Sequence, residues 1–454
     1  MTNTKAMGTD FTEGKIMPLL LRFLVPFLLA NLLNSLYNTV DTIIIGQFVG
    51  STGIVAVTQG GKMLNMFTNI GTAFAGGGQV LIAQLTGAKK RDEINRTIGT
   101  LFSEMLILAI IFAGITLVLS RLIITWLNAP AESFDQALAY LRITCVGLPL
   151  IFGYNAVSSV LRGMGDSKSP LLFIAIAAAS NLILDIVFIV IFNLGAAGTA
   201  YATVIGQGIS LVFSLTLLYR KRERFGFDFK LKSFKIDWSK LKVMFKIGYP
   251  VAIRSCCITL TQLYLMSYVN LYGLTEAAAY SIGDKIVHLA NIFHTACKQA
   301  GGSMAAQNIG AGKLDRVKVI IRDSIIFTMC TATVLSLISI FFPKAVFGLF
   351  TQEAQVLALA PAYMGISCII YYLSSLLGSL DIPITATGNS KLSLLGGILD
   401  GVIFRIGFSF LFAQVMNMGC IGFFLGDALA RLGPVFVGGI YYISGAWKRH
   451  KKLI

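Results

Sequence analysis

Four residues carry the most specific chemistry in this chain: Asp41, Asn181, Asp185 and Thr203. Asp41 closes a run with Asn31, Asn34 and Asn38 at helical spacing, with Tyr37 beside them, inside an apolar stretch. Asn181 and Asp185 stand four residues apart in a second apolar stretch, and Thr203 and Gln207 four apart in a third. A charged side chain in hydrocarbon costs about 3 kcal/mol on insertion scales, so such groups face a cavity or a partner. Two carboxylates with amide and hydroxyl oxygens can hold a proton or a sodium ion, since hard cations take oxygen ligands. The alternative for each aspartate is a helix cap or a bond to neighbouring backbone.

Further polar groups stand in the same kind of surroundings. Lys62, Asn65, Asn69 and Thr72 share one helical face, and Asp284, His288, Asn291, Thr295 and Lys298 share another, with Lys285 adjacent. Asp284 can pair with His288 or with a lysine of a neighbouring helix, a structural salt bridge being the alternative to a binding role. Arg254, Asp400 and Arg405 read as isolated intramembrane charges, and Asp427 and Arg431 as an i,i+4 ion pair. Candidates to meet a transported molecule are Asn34, Tyr37, Asn38, Lys62, Asn65, Asn69, Gln207, Arg254, Gln262, Asp284, Lys285, His288 and Asn291.

Several chemistries find no motif. Ala75–Gly78 and Gly301–Gly302 lack the Lys-Ser/Thr of a phosphate loop and lie deep in apolar stretches, where close helix packing explains them. The seven cysteines fall in apolar surroundings without CxxC spacing, and the three histidines form no HExxH element. Neither disulfides nor zinc are expected. With no nucleophile–base pair at hand, an enzyme is not expected, and no cofactor beyond H⁺ or Na⁺ as coupling ion.

The elements that position these residues follow from composition. Charged residues make up 13% and apolar ones 56% of 454 residues, at mean hydropathy +0.77. So little charge cannot cover a water-exposed surface, whereas lipid requires none. Apolar spans run near 17–41, 52–85, 97–119, 133–158, 170–192, 197–219, 243–269, 276–306, 321–342, 354–379, 392–415 and 420–446, each long enough to cross a bilayer. No cleavable leader is expected ahead of the first.

Of the 37 Lys and Arg, 27 fall in alternate gaps and the two ends of the chain, while only Arg121 and Lys344 fall in the opposite gaps. That asymmetry predicts both termini and the 219–247 linker on the cytoplasmic side of the cell membrane. The net charge of +16 is then inner-leaflet contact, not nucleic-acid binding. Trp126, Trp238 and Trp447 stand near span ends, where indole rings favour the interface.

The chain also repeats itself. Gln84, Gly87, Ala88, Lys90 and Asp92 recur 223 residues later as Gln307, Gly310, Ala311, Lys313 and Asp315. Gly165, Ser167 and Lys168 recur at the same offset as Gly388, Ser390 and Lys391, and Gly195 and Gly198 recur one residue further on as Gly419 and Gly422. Six spans separate equivalent points, so the halves share one orientation. The expected fold is an all-α membrane protein of twelve helices in two parallel-repeat six-helix bundles around a central cleft. The expected divisions are a cytoplasmic N-terminus (1–16), an N-lobe (17–219), a linker (220–242), a C-lobe (243–446) and a basic tail (447–454).

The QxxGAxxxD-like element after the second span, QNIGAGKxDRV after the eighth, RGMGDSKSP and Thr387–Lys391 resemble the multidrug and toxic compound extrusion (MATE) family over nearly the whole chain. Tyr37, Asn38 and Asp41, Asn181 and Asp185, and Thr203 are similar to the cation site of its DinF-like prokaryotic branch. The resemblance implies antiport: H⁺ or Na⁺ enters while an amphipathic, often cationic, compound leaves by alternating access between the two lobes. Pro26 is placed to bend the first helix. The chain departs from other branches in lacking an acidic residue in the seventh span, and Lys62, Lys285 and Lys298 make its cleft less acidic.

The expected partners are therefore a small amphipathic molecule and the bilayer, with no nucleic acid, for a monomer. The alternatives are a flippase for a lipid-linked or anionic substrate, which would favour a basic cavity, and an ion channel, for which no filter-like repeat is present.

Overall fold

The computed structural model describes residues 9–127, 130–449 and 453. These form helices joined by short turns, with no β-strand among the described residues. The first half comprises α1 (Ile16–Phe48), α2 (Ser51–Gly87), α3 (Arg91–Trp126), α4 (Ala131–Val146 with Leu148–Gly163), α5 (Lys168–Ile191) and α6 (Gly195–Arg220). The second comprises α7 (Trp238–Tyr272), α8 (Leu274–Gly310), α9 (Leu314–Phe341), α10 (Ala354–Thr387), α11 (Ser390–Val415) and α12 (Gly419–Ile443).

Among the described residues nine of these helices are long and apolar enough to cross a membrane, and the two parts of α4 make a tenth span bent by 48°. The bend falls at Gly147, just before Pro149, which cannot donate to the preceding turn. The remaining two, α2 and α8, have 37 residues each, about 55 Å at 1.5 Å per residue. They are long enough to span but are interrupted by the polar faces of Lys62–Asn69 and Asp284–Lys298. Polar side chains of that density are tolerated only where protein or water meets them.

By packing, the chain divides into two units: one built on Val25–Gly248, the other on Phe11–Leu24 and Tyr249–Leu453. In the first unit α2 packs on α3, α4 and α6, and α5 packs along α6. The glycine-rich run of α2 serves close approach: a Cβ on Gly77 would sit 2.5 Å from the Met244 carbonyl oxygen. In the second unit α10 packs on α8, α9 and α12, and α11 on α12. Pro26 lies within a continuous α1.

The segments leading into α1 and α7 are both tied down. Phe11 is buried beside Phe23, and its carbonyl accepts from Asn308 Nδ2 and from Arg316 Nη2, each at 3.0 Å. Arg316 also donates to the carbonyls of Glu13 (3.1 Å) and Gly14 (2.9 Å), and Lys313 Nζ to that of Thr12 (2.9 Å). In the linker, Phe225 and Phe227 are buried and the Phe102, Phe227 and Phe234 rings cluster, so its apolar side folds onto α3. Ser103 Oγ donates to the Phe234 carbonyl at 2.6 Å, and the Asp237 N–H to Thr100 Oγ1 at 3.1 Å. The Ser233 hydroxyl and the Lys230 N–H hold the Asp228 carboxyl below the usual carboxylate range. Arg220, Lys221, Arg222 and Lys230 are exposed.

One expectation is revised in detail. Trp126 and Trp238 are exposed at span ends, but Trp447 is buried and stacks on Tyr442. All seven cysteines are free; Cys145, Cys297 and Cys420 are buried and Cys330 is exposed.

Candidate functional site

In the first unit the four residues singled out by spacing converge. Asp41 of α1, Asn181 and Asp185 of α5 and Thr203 of α6 are all buried. The Asp41 and Asp185 carboxyl groups lie within electrostatic reach of each other. No protein donor reaches either oxygen of Asp185. Asn181, its amide oriented to suit both neighbours, donates from Nδ2 to Asp41 Oδ1 at 2.7 Å and accepts from the Thr203 N–H at 3.3 Å. The Thr203 hydroxyl lies 3.4 Å from the same amide.

The local sequence explains this convergence. One turn of α5 puts Asn181 and Asp185 on a single face. Gly206 lets α6 approach there: a Cβ at that position would sit 3.1 Å from the Ala177 carbonyl oxygen and 3.3 Å from the Asn181 nitrogen. Tyr37 lies within electrostatic reach of both carboxyls and of Tyr154, and Tyr140 within reach of Tyr37 and both carboxyls. Two buried carboxyl groups within such reach cannot both stay ionised and unaccompanied, because like charges at this range repel strongly in a low dielectric. The arrangement therefore accommodates a shared proton or a small cation with oxygen ligands.

The remaining candidates of this unit do not join that cluster. Asn34, Asn38, Lys62, Asn65 and Asn69 are exposed, and Gln207 is half-buried with Oε1 unpartnered. Glu104 of α3, which spacing did not single out, is buried with both oxygens unpartnered. A lone carboxylate in the middle of an apolar span was the signal for it.

The second unit holds a different constellation. Arg254, Asp400 and Arg405 are not isolated: Arg405 donates to Asp400 Oδ1 at 2.8 Å, and Arg254 lies 3.9 Å from Asp400 Oδ2. Arg405 also pairs with Asp427, whose other oxygen takes Arg431 at 3.0 Å one turn away. Arg254 further reaches Asp381 at 3.5 Å, where Lys298 pairs too. Arg254 is thus engaged by two carboxylates rather than held free for a transported molecule. Asp381 was missed because the tenth span, cut by length, stops at 379, whereas α10 continues to Thr387. Gln262, Asp284, Lys285 and His288 are exposed and Asn291 half-buried. Among the described residues Asp284 forms no ion pair with His288 or a lysine.

Comparison with known proteins agrees with this architecture. The MatE family model matches twice, over residues 26–187 and 250–411. "Probable multidrug resistance protein YpnP" of Bacillus subtilis (strain 168) is 28% identical over 449 residues, 97% of this chain and 98% of its own. A crystal structure of MATE in the straight conformation superposes with TM-score 0.89 at 20% identity, covering 98% of this chain and 99% of that one. A MOP superfamily transporter from Pyrococcus furiosus Vc1 (DSM3638) gives TM-score 0.90 at 19% identity, with the same coverage. With both halves matched, the chain is a multi-pass membrane protein that belongs to the MatE family of transporters.

Proposed function

We propose that this protein is a secondary active efflux transporter that lets H⁺ or Na⁺ in and carries small amphipathic, mainly cationic compounds out. The observation that carries this proposal is the burial of Asp41 and Asp185 within electrostatic reach of each other, beside Asn181 and Thr203. A ligand shifts a conformational equilibrium only by binding one state more tightly than the other. A carboxyl pair that is proton- or sodium-loaded in one state and empty in the other supplies that difference. Alternating access then exchanges the cation for the compound. Relatives named for multidrug resistance support the substrate class, and the resemblance to the DinF-like branch supports the N-terminal half as the coupling half. The protein works as a monomer in the cell membrane, both termini cytoplasmic, a topology supported by the basic 219–247 and 448–454 segments.

A second substrate class is favoured by one feature: Lys62 and Lys285 are exposed cations in the polar faces of α2 and α8, suited to an anionic or lipid-linked molecule. Expression in a drug-sensitive strain separates the two. Raised tolerance to lipophilic cations that is lost in Asp41→Asn supports the first. Unchanged tolerance from a well-folded, membrane-inserted protein contradicts it and favours the second.

A further inference from the structure

The first unit carries an open groove where α3, the second part of α4, α6 and the linker meet. A cavity of about 540 Å³ lies there, lined among others by Phe102 and Leu106 of α3, Gly153 of α4, Tyr219 of α6, and Phe229 and Phe234 of the linker. A second, of about 530 Å³, follows α6 from Thr216 back to Ile205, and Thr216 lines both. Each is the size of a small-molecule site, and Leu106, Val212 and Tyr219 stand exposed along it. From Ile205 to Tyr219 the groove runs about 21 Å along α6, more than one leaflet's share of a hydrocarbon core about 30 Å thick.

The linker closes one end of this groove and brings charge to it. Phe229 stands at φ +55°, a left-handed conformation that a bulky residue rarely adopts. Its ring meets Tyr219 edge-on at 5.4 Å and Phe227 at 4.6 Å. The Arg222 guanidinium lies over the Tyr219 ring, 4.9 Å from its centre, so a cation sits at the mouth of the groove. Arg220 and Lys221 follow Tyr219 directly, Lys232 and Lys235 flank Phe234, and all five cations are exposed. Among the described residues none of the five is in an ion pair. The carboxylates of Asp228 and Asp237 are spent on the linker's own N–H and hydroxyl donors, which leaves Glu223 against the five.

We propose that this groove binds one anionic phospholipid of the inner leaflet, its acyl chain along α6 past Thr216 and its phosphate at Arg220, Lys221 and Arg222. Tyr219 and Phe229 stand where the apolar groove ends and the charge begins, the level at which amphipathic aromatic rings meet headgroups. A neutral occupant gains nothing from the rim and a cationic one is repelled, whereas each Lys or Arg at a lipid surface strengthens binding of an anionic one about fivefold. A specific lipid, rather than the leaflet's general field, then holds the linker between the two repeats in place. The choice of leaflet rests on the proposed cytoplasmic placement of the linker; the site itself is independent of Asp41 and Asp185.

The test uses the full-length protein in detergent, titrated with phosphatidylglycerol or with phosphatidylcholine of the same acyl chains and read by native mass spectrometry. The parent should take up one phosphatidylglycerol at least tenfold more tightly than phosphatidylcholine, the preference shrinking as salt is raised. Lys221→Gln/Arg222→Gln should bring the two lipids to near-equal affinity. Thr216→Trp, which fills the groove where the two cavities join, should weaken phosphatidylglycerol at least tenfold with every cation still in place. Arg121→Gln, near the other end of α3, should leave the preference as it is.

Equal affinities in the parent protein mean ordinary annular lipid and overturn the proposal, and this measurement needs no substitution to fold. A preference untouched by both groove variants places the anionic lipid elsewhere and overturns it too. So does saturable binding of tetraphenylphosphonium that Thr216→Trp abolishes while phosphatidylglycerol shows no preference, since the groove then belongs to the transported compound. Binding in detergent does not depend on orientation, so the leaflet is tested apart. Trypsin should cut the linker in inside-out vesicles and not in intact cells; the reverse overturns the proposed topology, and the choice of leaflet with it.

Discussion

Asp41 on α1 and Asp185 on α5 bring their carboxyl groups within electrostatic reach of each other inside the first unit, and no protein donor reaches Asp185. A pair so placed must be accompanied by a proton or a cation whenever it carries charge. Asp41→Asn and Asp185→Asn each remove the like-charge repulsion, so each should fold with Tm equal to or above that of the parent. Each should also lower gradient-driven export at least tenfold, about 1.4 kcal/mol. Thermal unfolding beside transport checks both halves of the statement, and a Tm loss with transport intact would contradict it.

In the proposed mechanism Asn181 acts through Asp41. Its Nδ2 donates to Asp41 Oδ1 at 2.7 Å, and hydrogen bonds to charged groups contribute about 1.5–3 kcal/mol. Asn181→Ala should therefore weaken cation binding by roughly tenfold or more while both carboxylates remain. Titration calorimetry of the purified protein measures it, and an unchanged affinity would remove Asn181 from the site.

Gly206 sets the approach of α6 to α5. A Cβ there comes within 3.1 Å of the Ala177 carbonyl oxygen and 3.3 Å of the Asn181 nitrogen, so Gly206→Val must push the helices apart. Overpacking of this kind costs about 1–3 kcal/mol. The expected outcome is a lower Tm with weaker cation binding, although no ligand atom is changed. Normal binding in Gly206→Val would show that the α5–α6 spacing does not matter to the site.

Arg316 anchors the start of the chain through three backbone carbonyls, those of Phe11, Glu13 and Gly14. Arg316→Ala should release that segment, raising amide exchange over residues 11–15 and sensitivity to trypsin at Lys15, with little change elsewhere. Parent-like protection of those amides would mean that Gln307, Asn308 and Lys313 hold the segment without Arg316.

How far the sequence announced this structure differs between the halves. In the first, the 3.6-residue period puts Asp41, and separately Asn181 and Asp185, on single helix faces, and those faces do meet. The period does not give depth: Asn34 and Asn38 share the stripe with Asp41 yet are exposed. In the second half only Asp427–Arg431 is local enough to read along the chain. The other members come from α7, α8, α10 and α11, and no spacing rule joins residues so far apart. The π turn at Leu399–Phe404 also shifts Asp400 out of the simple period, and Asp381 lay past a span end set by length alone.

The most direct test of the central claim is uptake of a labelled lipophilic cation into inside-out vesicles, with a pH gradient and a sodium gradient imposed separately. The account requires accumulation driven by at least one of them and abolished in both Asp41→Asn and Asp185→Asn. Accumulation that proceeds equally without any gradient, or that survives both substitutions in folded protein, would contradict it.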